Sequence, residues 1–176
     1  MAELSPVMKK FILHWGEMGT RWGINRTVAQ VHALLFISPK ALNAEEIASA
    51  LEVARSNVST SIRELQGWGI VKTVHEMGDR RDYFESLKDP WDLFRQVMDE
   101  RKKREVDPTL ALLRDCVAEA QRSGAKEAHA RQKLTELLGF FETMSNWYEH
   151  IRRMPTCAVV QFVKLGDKVR KLVGVR

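Results

Sequence analysis

Between Arg55 and Arg63 the chain reads RSNVSTSIR, a stretch with no acid in which two guanidiniums frame hydroxyls, one carboxamide and apolar residues. An arginine fork donates two parallel hydrogen bonds to the O6 and N7 edge of guanine, and an asparagine carboxamide matches the donor and acceptor of adenine. Phosphate oxygens accept from the same groups and from serine and threonine hydroxyls. On a helix, at about 100° per residue, Val58, Ile62 and Leu65 fall on one side. Ser56, Thr60 and Arg63 lie opposite, with Ser59 beside them and Arg55 and Asn57 at the tip. A solvated helix face ordinarily mixes in Glu or Lys, so this face suits a polyanion better than bulk water.

Arg80 and Arg81, in GDRRDYF, form a second basic pair. A narrow minor groove concentrates negative potential and draws in arginine, and a phosphate clamp uses the same guanidinium. Asp79, Asp82 and Glu85 stand close by in sequence, so a salt-bridged, structural role is open for one of the two, Arg81 before Arg80. Arg21 and Arg26 flank the start of the second predicted helix, where backbone amides also favour an anion; a phosphate contact and a structural role both fit them. RKKR at 101–104 spans a helical turn, so its charges point in all directions and read as solvated.

Other chemistries find little support. His14, His32, His75, His129 and His150 show no HxxxH or HExxH spacing, and no glycine-rich phosphate loop follows a strand. The expectation is no enzyme, no metal and no cofactor. Cys116 and Cys157 stand far apart, outside any CxxC spacing, and read as buried small apolar residues in a reducing compartment. Indole faces attract quaternary ammonium groups. Trp91, Trp147 and Tyr148 are the candidates for an effector cage of that kind, with plain core packing as the other reading for them and for Trp15 and Trp22.

The elements that must hold these groups follow from periodicity. Leu4, Val7, Phe11, Trp15 and Met18 give a first helix that Gly19 can end, and Asn25 caps a second over Arg26 to Ile37, stopped by Ser38-Pro39. Asn43 followed by Glu46 has capping-box spacing and fixes a third helix near Ala44 to Leu51. The acid-free helix comes next, ended by Gly67 or Gly69. Two short helices joined by a tight turn, the second with a polar outer face, make a helix-turn-helix pattern. IVKTVHEMGDRRDYFESL then alternates on both sides of Gly78-Asp79 as a hairpin with a basic loop, which is a wing.

From Asp89 onward every segment reads as helix. Pro90 begins one with Trp91, Phe94 and Met98; Asp107-Pro108 opens another with Leu110, Leu113 and Val117, closed by Ser123-Gly124. A third spaces Ala130, Leu134, Leu137, Phe141, Met144, Tyr148 and Ile151 by fours and threes, with Leu138, Phe140 and Trp147 to one side. So wide a stripe wants two partners: a last helix (Val159, Phe162, Val163, Val169, Leu172, Val173) and a second subunit, hence a homodimer. The fold class expected is mainly α with a small β-hairpin wing. A winged helix-turn-helix module covers 1–88, its N-terminal helix free to join the dimer core, and a helical dimerisation and effector region covers 89–176. Lys plus Arg exceed Asp plus Glu, 28 against 23, a mild polyanion signal. No apolar run of about 18 residues is present to span a bilayer, and MAELSPVMKKFILHWGEMG is broken by charge, so a cytoplasmic protein without a membrane partner is expected.

NRTVAQVHALLFIS, LNAEEIASALEVARSNVSTSIRELQGWGIV and GDRRDYF followed by DPWDLF, in that order over about residues 20 to 95, resemble the GbsR/MarR group of bacterial and archaeal winged-helix transcriptional regulators. The resemblance implies a dimer on double-stranded, pseudo-palindromic operator DNA that regulates a neighbouring operon, as a repressor responsive to a small-molecule effector. Some relatives look tied to osmolyte metabolism and choline-like compounds; the residues here name no ligand. Family members commonly carry Ser or Thr where the recognition helix begins, and this chain has Ala54, which leaves Ser56 to cap one turn late or the dimer core to compensate. A winged-helix module that binds protein through the same face is the alternative function.

Overall fold

Ser5 accepts from the Met8 amide at 3.3 Å and Pro6 occupies the first helical turn, which together start α1 (Pro6–Arg21). The computed structural model describes residues 4–123 and 127–165. Gly19 does not end α1 as expected: it lies buried in the last turn, where a Cβ would fall 2.5 Å from the Cβ of Ala29. At Gly16 a Cβ would fall 2.7 Å from Gln30 Cγ. The two glycines let α2 (Arg26–Ile37) close onto α1, and the chain turns instead at Gly23, with φ +76°.

Asn25 caps α2 through a 2.8 Å bond from the Thr27 amide, as its position predicts. Val31, Leu34 and Leu35 make α2 the centre of the core. The capping box forms with both bonds: Asn43 accepts from the Glu46 amide at 3.0 Å, and Glu46 accepts from the Asn43 amide at 2.9 Å. It starts α3 (Ala44–Leu51), which Glu52 closes in the left-handed region at φ 55°. After this turn comes α4 (Arg55–Gly67), with Val58, Ile62 and Leu65 buried in the core.

The hairpin forms from β2 (Val71–Val74) and β3 (Tyr83–Ser86), antiparallel with Val74 opposite Tyr83. A third strand that the sequence pattern does not announce, β1 (Leu42–Asn43), pairs with the other edge of β3, so the sheet runs β1-β3-β2. Two residues are too few to show alternation. Beyond β3, the Lys88 ammonium donates to the carbonyls of Leu35 at 2.6 Å, Phe36 at 3.2 Å and Ser38 at 2.7 Å. It satisfies acceptors that the end of α2 leaves open. Asp89 caps α5 (Pro90–Arg101) by accepting from the Trp91 and Asp92 amides. Trp91 and Leu93 are half-buried, but Phe94, expected on the inward stripe, is 54% exposed.

The described chain divides into two compact units after Val97. In the second, Asp107-Pro108 does not cap a new helix. Helical geometry runs from Pro90 to Arg122 through a π-helical segment (Lys102–Val106) into α6 (Asp107–Arg122). A proline inside an α-helix removes one hydrogen bond and its ring clashes with the carbonyl four residues back. A widened turn stands just ahead of Pro108: the Asp107 amide reaches the Lys102 carbonyl, five residues back, and the Thr109 hydroxyl donates to the Glu105 carbonyl at 2.6 Å.

Leu110, Leu113, Val117 and Ala120 bury one face of α6, against which α7 (Ala128–Arg152) packs. The seam of α7 is offset from the expected one. Leu134, Leu138, Phe141, Ser145 and Tyr148 are half-buried, whereas Ala130, Leu137 and Met144 are exposed. Val159 is the buried residue of α8 (Thr156–Lys164), and Cys157 is exposed in its first turn, contrary to the buried reading; Cys116 is half-buried. The expected helix end at Gly124, the apolar positions Val169, Leu172 and Val173, and the basic C-terminal segment from residue 166 lie outside the described residues. Among the described residues no helix is long and apolar enough to cross a membrane.

Candidate nucleic-acid interface

The apolar side of α4 fixes which side faces out. With Val58, Ser61, Ile62 and Leu65 buried, Arg55, Ser56, Asn57, Thr60 and Arg63 are exposed together and Ser59 sits half-buried at the flank. Arg63 lies along the helix, donating to the Ser59 carbonyl and the Thr60 hydroxyl at 3.4 Å each. Ala54, in extended geometry ahead of the helix, supplies no side-chain cap, and the first turn carries no acid. The positive end of the helix dipole therefore keeps Arg55 beside it rather than a carboxylate. A carboxylate reaches it from another element: Glu45, in the first turn of α3, lies 3.0 Å from an Arg55 terminal nitrogen.

The far end of α4 is tied down twice. Gln66 donates to the Thr73 hydroxyl at 2.9 Å, joining the helix to β2. Gln96 of α5 donates to the Trp68 carbonyl at 3.0 Å, and its amide nitrogen occupies the space a Cβ would take at Gly69, 2.6 Å away, where φ is +70°. Glu45, Gln66 and Gln96 carry no motif of their own and are invisible to spacing. The one hint in sequence is that Glu45 is a second acid beside the capping Glu46, left over once the cap is assigned.

The two wing arginines separate. Asp79 accepts from the Arg81 backbone amide at 2.9 Å and from the Arg81 Nε at 3.0 and 2.9 Å, and the Tyr83 hydroxyl closes the group with a 2.8 Å bond to Asp79. The side-chain and backbone bonds from Arg81, and then the one from Tyr83, hold the Asp79 carboxyl well below the usual carboxylate range. Its own bond to Asp79 holds the Arg81 guanidinium above its ordinary value, and the separate bond from the Tyr83 hydroxyl to Asp79 pushes that phenol up. Arg81 is thus the fixed arginine at the base of the wing. Arg80, two residues past Gly78 at φ +85°, is exposed, and so is Met77 at the loop tip.

Arg26 is exposed at the first position of α2, its stem lying over Gly16. The RKKR run is mostly spent on ion pairs: Arg101 with Glu105, Arg104 with Glu100, and Lys102 with both Asp107 at 2.6 Å and Glu149 at 3.5 Å. Trp91 stands in the first unit and Trp147 and Tyr148 in the second. Trp147 is 51% exposed; the Tyr148 hydroxyl donates to Asp99 at 2.8 Å, and burial together with that carboxylate pushes its phenol up. Among the described residues no group of three His, Cys, Asp or Glu is placed to hold a metal ion.

A buried-backed helix with an open polar face, led in by a second helix through a tight turn and followed by a three-stranded wing, is the winged helix-turn-helix arrangement. The MarR family profile matches residues 22–82, which span α2 to the wing. Over those residues the chain is similar to the MarR family. The matched stretch contains every exposed residue of the α4 face together with Arg26 and both wing arginines. Over 154 residues the chain is 21% identical to the HTH-type transcriptional repressor GbsR of Bacillus subtilis (strain 168), with 84% of this chain and 85% of that protein covered. A solved structure of a transcriptional regulator matches with a TM-score of 0.63 at 22% identity, over 90% of this chain and 99% of the other. The likeness therefore extends beyond the matched stretch into the helices that follow it.

Proposed function

We propose that the chain is a sequence-specific DNA-binding transcriptional regulator, not an enzyme, acting in the cytoplasm as a homodimer that represses a nearby operon and responds to a small molecule. One observation carries the DNA reading: from Arg55 to Arg63 the exposed face of α4 is free of acids and offers Ser56, Asn57, Thr60 and Arg63. With that face in the major groove, Arg63 and Asn57 reach base edges while Ser56, Ser59 and Thr60 serve phosphates and base edges. Arg80 reaches the adjacent minor groove, Arg81 holds the wing that carries it, and Arg26 approaches the backbone. The homodimer reading is supported by Leu137, Phe140, Met144 and Trp147, an apolar stripe that α7 leaves exposed. Effector response is what the resemblance to the GbsR/MarR group implies, and it requires a ligand that binds the DNA-competent and incompetent dimers unequally.

The test is a fluorescence-anisotropy titration against DNA flanking the protein's own gene and against a scrambled duplex, at two salt concentrations, for wild type and Arg63→Ala. The expected result is tight binding to the flanking DNA alone, weakening with salt at a slope near −0.9 per neutralised phosphate, with a loss of about 1–3 kcal/mol in Arg63→Ala. Equal weak binding to both duplexes, indifferent to Arg63→Ala, overturns sequence reading. No salt-sensitive affinity at all points to the protein-binding module instead.

A further inference from the structure

Arg55 is placed against its local electrostatics. It is the first residue of a helix without a side-chain cap and without an acid in its first turn, where the backbone amides already present positive charge. Its guanidinium is held by Glu45 across the helix-helix turn at 3.0 Å, and both side chains are more than half exposed. An exposed pair of this kind adds little to folding stability. Nor does the cap of α3 use Glu45, because Glu46 makes the capping box. Glu45 suits the dipole of α3 from its first turn, and its contact with Arg55 also sets it beside the otherwise acid-free polar face of α4. A carboxylate there repels phosphate, so any gain it brings to DNA binding must come through Arg55.

The geometry points to Glu45 as a specificity-determining positioning residue: it engages one terminal nitrogen of the Arg55 guanidinium and leaves the remaining donors for a guanine edge in the major groove. A guanidinium carries five N–H donors in a fixed planar fork, so engaging one terminal nitrogen narrows the directions in which the others can point. A free Arg55 would reach phosphates and bases alike, and bind DNA without choosing. A held Arg55 loses reach to the backbone and keeps its directed pair of hydrogen bonds for one base. The acid thus has opposite effects on the two modes of binding: it strengthens binding to the right sequence and weakens binding to any other.

This inference rests on the DNA-binding reading above, and the experiment separates the two. Wild-type protein first selects a duplex from a random library. Affinities for the selected duplex and for a scrambled one are then measured for wild type, Glu45→Gln, Arg55→Ala, the double variant and Arg63→Ala, with thermal midpoints as a folding check. Glu45→Gln is expected to bind the selected duplex about tenfold more weakly and the scrambled duplex as well as wild type or better. Discrimination is lost at one guanine position, and the double variant is no weaker than Arg55→Ala. Equal gains on both duplexes overturn the proposal, since Glu45 then acts only by repulsion. Additive losses in the double variant overturn it as well. If Arg63→Ala weakens binding while Arg55→Ala does not, DNA reading stands and this role for Glu45 falls; if wild type enriches no sequence, both fall together.

Discussion

Glu52 carries the turn between α3 and α4 at φ 55°, a conformation in which a side chain crowds the following carbonyl at a cost of about 1–2 kcal/mol. Glycine is free of that cost but loses more freedom on folding. Glu52→Gly is expected to raise stability by about 0.5–1 kcal/mol, read as a higher thermal midpoint. His32 acts in the opposite sense. It is buried between the rings of Trp15 and Phe36, and burial, then the nearby Lys88 charge, lowers its pKa from 6.5 to about 4. The unfolded chain therefore takes up a proton that the fold refuses. Stability is complete above about pH 6.5 and declines as the pH falls toward about 4, by on the order of 3 kcal/mol in total. Urea unfolding at pH 7 and pH 5 should show this loss in wild type and a smaller one in His32→Phe; an unchanged pH dependence in the variant assigns the loss to other groups. At this scale the candidate interface was legible wherever a residue's own periodicity fixed its side, as for Ser56, Thr60 and Arg63. It was illegible where a partner distant in sequence decides, as for Glu45 on Arg55, but legible in the wing, where the local acids favoured Arg81 as the tied arginine and its bonds to Asp79 agree.

Among the elements, those bounded by their own residues matched expectation. Asn25 and the Asn43–Glu46 box place α2 and α3 to the residue, because a cap is a local contract between side chain and amide. Gly19 and Pro108 misled for a common reason. Each residue permits a helix end, but tertiary packing in one case and a widened turn in the other kept the helix going. The offset seam of α7 is a different limit. Large apolar residues occupy about half its circumference, so Leu137 and Leu138 both satisfy helical spacing and only the placement of α6 chooses between them. The structure also adds a relation between elements that no periodicity encodes: the segment from Lys88 to Gln96 donates to the C-terminal carbonyls of both α2 and α4. A displacement of that segment must therefore disturb the recognition helix at its end.

At the scale of the whole molecule, the apolar stripe Leu137, Phe140, Met144 and Trp147 needs a cover, and a second copy of the chain is the proposed one. Phe140→Glu places a charge in the middle of it. Sedimentation at micromolar concentration should give a dimer for wild type and a shift toward monomer for the variant; a wild-type monomer would remove the dimer from the proposal. The π segment ahead of Pro108 bears on heredity. A π turn houses one residue more than the α turn it replaces. The helix from Pro90 to Arg122 thus holds the equivalent of one inserted residue without breaking. The surplus residue and the proline depend on each other: a descendant that loses the residue alone meets the ring clash, and one that loses the proline alone keeps a bulge with no reason to persist. Inheritance should therefore keep or discard the two as a pair.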